Sequence, residues 1–142
     1  MDMIFNQFVI SDDRARVDIS TVKGFLARSY WASQRSAEII ERSIQGSVCY
    51  GVYDQGKQVG FARIVTDEAT MYYLCDVFID EAYRGLGIGK KLVEVITESE
   101  RFRNLNGILG TADAHELYEQ YHFVRDANRF MRRPADFLRN QS

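Results

Sequence analysis

Proline occurs once, at Pro134, and cysteine twice, at Cys49 and Cys75. So little proline excludes a proline-rich linker. Two cysteines inside strand-like runs, without metal spacing, exclude a disulfide framework or a zinc site and read as buried reduced thiols of a cytoplasmic protein. No apolar stretch reaches the about 18 residues that a membrane span needs. The opening Met1-Asp2-Met3-Ile4-Phe5 lacks the basic segment and apolar core of a secretory signal. A net charge of −2 and a pI near 5.7 provide no broad basic surface, which argues against nucleic acid or a membrane as partner. Repeats and low-complexity segments are absent too. What remains is ordinary globular composition, 46% hydrophobic and 27% charged, and a single domain over residues 1–142 is expected.

The most informative segment is Arg84-Gly85-Leu86-Gly87-Ile88-Gly89, followed by Lys90 and Lys91. It comes directly after the apolar run from Met71 to Ile79. From Ile88 the apolar residues Leu92, Val93, Val95 and Ile96 recur at helical spacing. A strand therefore passes through a glycine-rich turn into a helix. The turn lets backbone N–H groups approach a ligand, and the helix start adds donors and positive potential that favour a phosphate. The spacing is not that of a Walker loop, because Arg84 stands at its first glycine and Lys91 at its hydroxyl. A dinucleotide fingerprint fails in both registers, at Lys90 and at Leu92.

The pattern that fits is [Q/R]-x-x-G-x-[G/A], filled by Arg84, Gly87 and Gly89. Here the chain resembles the GNAT superfamily of acetyl-CoA-dependent N-acetyltransferases. A second stretch supports the resemblance: Ala114-His115-Glu116-Leu117-Tyr118-Glu119-Gln120-Tyr121-His122-Phe123 is similar to the family's A-x-x-L-Y-x-x-x-G-F. It departs at His122, where the family has a glycine that ends the helix in left-handed geometry. Histidine is among the residues that tolerate positive φ.

The resemblance implies an α/β fold with a mixed, mostly antiparallel sheet flanked by helices, in the order β-α-α-β-β-β-α-β-α-β-β. The residue pattern assigns strands at Phe5 to Ile10, Val48 to Tyr53, Val59 to Val65, Met71 to Ile79 and 107–112, with two short ones at Phe123-Val124 and Arg129 to Arg132. Helices are expected after Asp18, over Ser36 to Ser43, from the glycine turn to about Phe102, and around Tyr118. Asp54-Gln55-Gly56-Lys57 reads as a hairpin turn.

In such a family acetyl-CoA is the cosubstrate and no metal takes part. Backbone groups of Val77, Phe78 and Ile79 are implied for the pantetheine arm, and Arg84, Gly85, Leu86, Gly87, Ile88, Gly89 and Lys90 for the pyrophosphate. Tyr118 is the implied general acid for the departing thiolate, while Tyr121 matches no family position and reads as packing. Asp76, a carboxylate in an apolar strand, shares a face with Leu74 and Phe78 by alternation. Desolvation there would raise its pKa and suit a general base; the alternative is a structural carboxylate bonded to backbone or to an arginine such as Arg63. A water chain is the alternative base. Tyr30, Trp31 and Arg35 form an aromatic and cationic patch for the acceptor, with Trp31 and Arg35 also able to make an i,i+4 cation–π pair. Asp67 is a loop charge that could meet a cationic acceptor. The expected reaction is acetyl transfer to a primary amine, a small molecule before a protein N-terminus or lysine, by a monomer or homodimer. The alternative is a non-catalytic acyl-CoA-binding or interaction module of the same fold.

Overall fold

Two polar side chains decide where the first helices of the computed structural model begin. Asp18 accepts the Thr21 N–H at the head of α1 (Ile19–Ala27), and Ser36 accepts that of Ile39 at the head of α2 (Ala37–Gln45). Each satisfies a donor that the first turn leaves unpaired. The structure describes residues 1–139. Ahead of α1 lie β1 (Asp2–Phe5), β2 (Phe8–Ser11) and a 3-10 turn, Arg14–Arg16. After α2 come β3 (Val48–Asp54), β4 (Lys57–Thr66), β5 (Met71–Ile79), a second 3-10 turn (Glu81–Tyr83), α3 (Ile88–Thr97), β6 (Asn106–Ile108), α4 (His115–Glu119) and α5 (Asp136–Arg139). Among the described residues no helix is long and apolar enough to cross a membrane.

The six strands form one sheet in chain order, antiparallel except for the parallel β5–β6 pair. The β3–β4 hairpin turns as the sequence predicts, with Gln55 and Gly56 both at positive φ. Its two faces carry two cores. On one, Leu92, Val93 and Ile96 of α3 pack against Val52, Ile64 and Leu74. On the other, Val22, Phe25 and Leu26 of α1 and Ile40 and Ile44 of α2 pack against Cys49, Phe61 and Phe78.

Five expectations need correction. The first strand is instead a hairpin, because Asn6, at φ 53°, turns the chain left-handed between Phe5 and Phe8. α3 ends at Thr97, capped by Glu98, before reaching Phe102, and β6 is confined to three residues. The two last strands are not formed: Val124 is 84% and Met131 95% exposed, so neither finds a sheet face. These short β-type runs, bounded by Arg125-Asp126 and Arg132-Arg133, pair with no sheet edge among the described residues.

The fifth concerns Asp76. The β4–β5 register passes from Arg63↔Cys75 to Phe61↔Phe78, so Asp76 and Val77 oppose Ala62 alone. This is a bulge, and Asp76 takes φ 53° within it. The extra residue reverses the alternation: Leu74 faces α3, whereas Phe78 faces α1 and α2. Asp76 therefore does not share a face with both.

Candidate active site

Beyond β5 the chain turns through Asp80, whose carboxylate accepts the Ala82 N–H, and reaches Gly85 at φ 83° and Gly87 at φ 80°. A Cβ on Gly85 would meet nothing within 4 Å, and one on Gly87 only Phe5 Cζ at 3.7 Å. The left-handed backbone, not crowding within the protein, is what demands glycine here. Gly87 is the N-cap of α3 and brings no capping side chain, so the first N–H groups of the helix are left to other partners. Buried Ile88 pins this helix start to the core, while Leu86 and Lys90 are exposed. Gly89 lies inside the first helical turn, 3.6 Å by its virtual Cβ from Ile79 Cγ1. Arg84 folds back: its Nε donates to the Ile79 carbonyl at 3.0 Å and its guanidinium lies 5.0 Å from the Phe78 ring centre.

The turn adjoins a gap in the sheet. β5 and β6 pair only at Met71↔Asn106, Tyr72↔Gly107 and Tyr73↔Ile108. β6 then ends while β5 continues to Ile79, so among the described residues the outer edge of β5 beyond Tyr73 has no ladder. Val77 and Ile79 are half-buried toward α3 and Phe78 is buried toward α1. A parted edge with backbone donors and acceptors, ending at an uncapped helix start, suits an extended ligand with a pyrophosphate at one end. Among the described residues no cluster of three His, Cys, Asp or Glu could hold a metal.

Tyr118 rises from α4 with its ring buried and edge-on to Phe123 at 6.0 Å. The Phe123 N–H reaches back to the Tyr118 carbonyl across His122, at φ 71°, the left-handed termination that glycine would supply in the family pattern. The Tyr118 hydroxyl has no protein partner among the described residues, yet it is not sealed in. Burial pushes its pKa up to about 12, with Tyr30 and Asp113 adding to the rise. Tyr30 crosses to this side from the α1–α2 loop, where its hydroxyl accepts the Ala112 N–H at 3.0 Å. Tyr121 answers to different neighbours, Glu94, Lys91 and Glu98 along α3. The two phenols thus face different surroundings.

Asp76 is gathered into a cluster with Trp31 and Arg35. Trp31 Nε1 donates to Oδ1 at 2.8 Å, and Arg35 Nη1 and Arg63 Nε both donate to Oδ2 at 2.8 Å. Arg63 Nη1 also donates to Ser47 Oγ at 3.1 Å. Burial of the carboxylate acts to raise its pKa, but Arg63 by charge and hydrogen bond, then Arg35 and Trp31, outweigh it and hold the group below its ordinary value. The raised pKa expected from desolvation is therefore reversed. Nor do Trp31 and Arg35 stack as a helical cation–π pair, since residues 29–36 form the turn between α1 and α2 and both side chains turn onto Asp76. Arg63 was legible as a lone charge in the apolar run Gly60 to Val65, opposite the lone charge of β5. The bulge that joins them left no glycine to announce it.

Asp67 stands apart. Its carboxylate accepts the N–H groups of Ala69, Thr70 and Met71 and the Thr70 hydroxyl, and these bonds draw its pKa well below the ordinary range. It organises its own loop, and its oxygens are already engaged there. Both cysteine thiols are pushed up to about 11 by burial, so neither is a thiolate near neutral pH.

The family model described as Acetyltransferase (GNAT) domain matches residues 45–125. A Xanthomonas campestris pv. campestris protein assigned to the same family is 32% identical, with a TM-score of 0.86 over 93% of this chain and 96% of that one. A Clostridium acetobutylicum protein solved with acetyl-CoA, 14% identical, shares the fold at a TM-score of 0.64 over 89% of this chain and 94% of that one. A Gibberella zeae protein named as an acetyltransferase is 24% identical over 112 residues, 65% of this chain; the match spans only 63% of that relative's length. The matched model covers more than half of the chain, and the Xanthomonas likeness runs along nearly all of it: the chain belongs to the GNAT acetyltransferase family.

Proposed function

We propose that the protein binds acetyl-CoA and transfers its acetyl group to a primary amine, with a small-molecule amine favoured over a protein N-terminus or lysine. The observation that carries this reading is the left-handed Gly85–Gly87 turn opening α3 at the end of a β5 edge already parted from β6. Backbone of Val77, Phe78 and Ile79 would meet the pantetheine arm, and the segment from Arg84 to Lys90 the pyrophosphate. Bound acetyl-CoA supplies an acetyl group activated as a thioester. The amine sheds one proton before attack, forms its bond to the carbonyl carbon as the carbon–sulfur bond breaks, and sheds a second proton that balances the departing thiolate.

Tyr118 is the donor assigned to that thiolate. A phenol near pKa 12 keeps its proton throughout the neutral range. The water exclusion that raises the phenol also raises the thiolate, so the two stay closer in basicity than their values in water suggest. Asp76 is not the base in this reading: its pKa is low and both oxygens are engaged. Water reaching the cleft takes the first proton.

The test combines melting temperature with thiol release on an amine panel. Acetyl-CoA at a hundredfold over its dissociation constant adds about 2.7 kcal/mol, and free thiol should then appear with an amine. No shift at millimolar acetyl-CoA, or an equal shift with NAD, overturns the reading. A shift without thiol release on any amine favours the non-catalytic binding module.

A further inference from the structure

We infer that the amine acceptor carries an anionic group, a carboxylate or a phosphate, that is gripped by Arg35 and Arg63 beside the β5 bulge; the inference rests on the acetyl-transfer reading above. Two guanidiniums meet one carboxylate. Asp76 cancels one positive charge, and among the described residues it is the only ion-pair partner of either arginine. The flanking thiols of Cys49 and Cys75 stay protonated and cancel nothing.

The donors are only partly spent. Arg35 gives Nη1 to Asp76, while its Nε and Nη2 have no partner among the described residues. Arg63 gives Nε to Asp76 and Nη1 to Ser47, which leaves its Nη2. Their side chains are 24% and 14% exposed, too enclosed for full hydration and too open to be sealed. Unspent guanidinium donors in such a half-enclosed place match a carboxylate or phosphate, which accepts two parallel N–H groups. Asp76 fixes both forks in advance, so little conformational freedom is lost when an anion arrives.

Position separates this pair from the cosubstrate turn. Arg63 alternates with Phe61 on the sheet face covered by α1 and α2, whereas α3, which the glycine turn opens, packs on the opposite face. Trp31 and Tyr73, each 40% exposed, stand beside the cluster and offer apolar walls for the body of the amine. Asp76 directly precedes Val77, so an anion held here keeps an attached amine near the proposed acetyl site. Arg35 and Arg63 are thus proposed as specificity-determining residues.

The experiment uses acceptor pairs that differ by one anionic group, phenylalanine against phenethylamine and phosphoethanolamine against ethanolamine, at fixed ionic strength. In at least one pair the anionic member should have a kcat/KM at least about tenfold higher, the scale of one hydrogen bond to a charged group. The responding pair distinguishes carboxylate from phosphate. Arg35→Gln should bring that ratio close to one, and Arg35→Lys, which keeps the charge and loses the fork, should retain part of it. Circular dichroism verifies that each variant is folded. If neutral and anionic amines are acetylated equally, this inference falls while acetyl transfer stands. If no amine turns over, melting of the CoA-saturated protein with the same probes decides: a shift with an anionic probe alone, lost in Arg35→Gln, supports the grip, and equal or absent shifts overturn it.

Discussion

Arg63 and Asp76 stand on neighbouring strands, on either side of the irregular step in the β4–β5 ladder, with Nε 2.8 Å from Oδ2. The bulge converts a strand residue that alternation would aim elsewhere into the centre of a four-residue cluster. Removing the charge should therefore be costly. Asp76→Asn leaves two guanidiniums facing a neutral amide, and breaking a buried pair from one side typically costs about 3–5 kcal/mol. Since the carboxylate has a lowered pKa in the folded state, its stabilising effect is complete above the unfolded value of about 3.9 and is lost as pH falls through the folded value. Denaturant melts should show a constant gap between parent and variant from pH 5 to 9, closing only in stronger acid. A gap that closes between pH 5 and 7 would contradict the depressed pKa.

Gly87 is the second target. Gly87→Ala asks a side chain to sit at φ 80°, at a cost of about 1–2 kcal/mol, visible as a modest drop in melting temperature. Gly87→Trp adds bulk where the pyrophosphate is proposed to lie. Acetyl-CoA affinity should fall steeply in that variant while circular dichroism stays near that of the parent. Parental affinity in Gly87→Trp would move the cosubstrate elsewhere.

Both cysteines should be bystanders. With each thiol pushed up to about 11 by burial, about one molecule in ten thousand carries a thiolate at pH 7. Cys75→Ser should turn over at close to the parental rate, and initial-velocity patterns should intersect, as direct transfer requires. Parallel, ping-pong lines together with an inactive Cys75→Ser would reveal an acetyl-cysteine route instead.

The glycine turn was legible because positive φ at Gly85 and Gly87 is a demand that few other residues meet, so the backbone writes itself into the sequence. Helix starts were legible for a similar reason, in the side-chain acceptors Asp18 and Ser36. For Asp76 the pairing with Arg63 was legible as the alternative to a catalytic role, and the structure makes it, but the rest of its cluster was not legible. Its partners lie on two distant segments, and its bulge uses an aspartate at φ 53°, so strict alternation misassigned its face and desolvation alone misjudged its pKa. The end of the chain failed differently. Runs such as Phe123-Val124 carry β-type side chains, but a strand exists only where a neighbouring edge pairs with it. The pairing of β5 with β6 over just three residues, which opens the proposed cleft, is likewise a property of the partner and not of either run.

Tyr118 carries the sharpest test of the mechanism. Tyr118→Phe removes one hydroxyl and keeps the buried ring and its contact with Phe123, so the melting temperature should hardly change. If the hydroxyl donates to the departing thiolate, turnover should fall by roughly 10²-fold or more. Acetyl-CoA affinity should change far less, since the interaction belongs mainly to the transition state. Tyr121→Phe is the internal control: its phenol answers to Lys91, Glu94 and Glu98, and its loss should be nearly silent. The pH profile adds a second readout. A group pushed up to about 12 stays protonated up to pH 10, so the parental rate should show no basic limb from Tyr118 across pH 7 to 10. Parental turnover in Tyr118→Phe across that range would assign the proton to solvent and return Tyr118 to packing, and damage confined to Tyr121→Phe would move the acid to the other phenol.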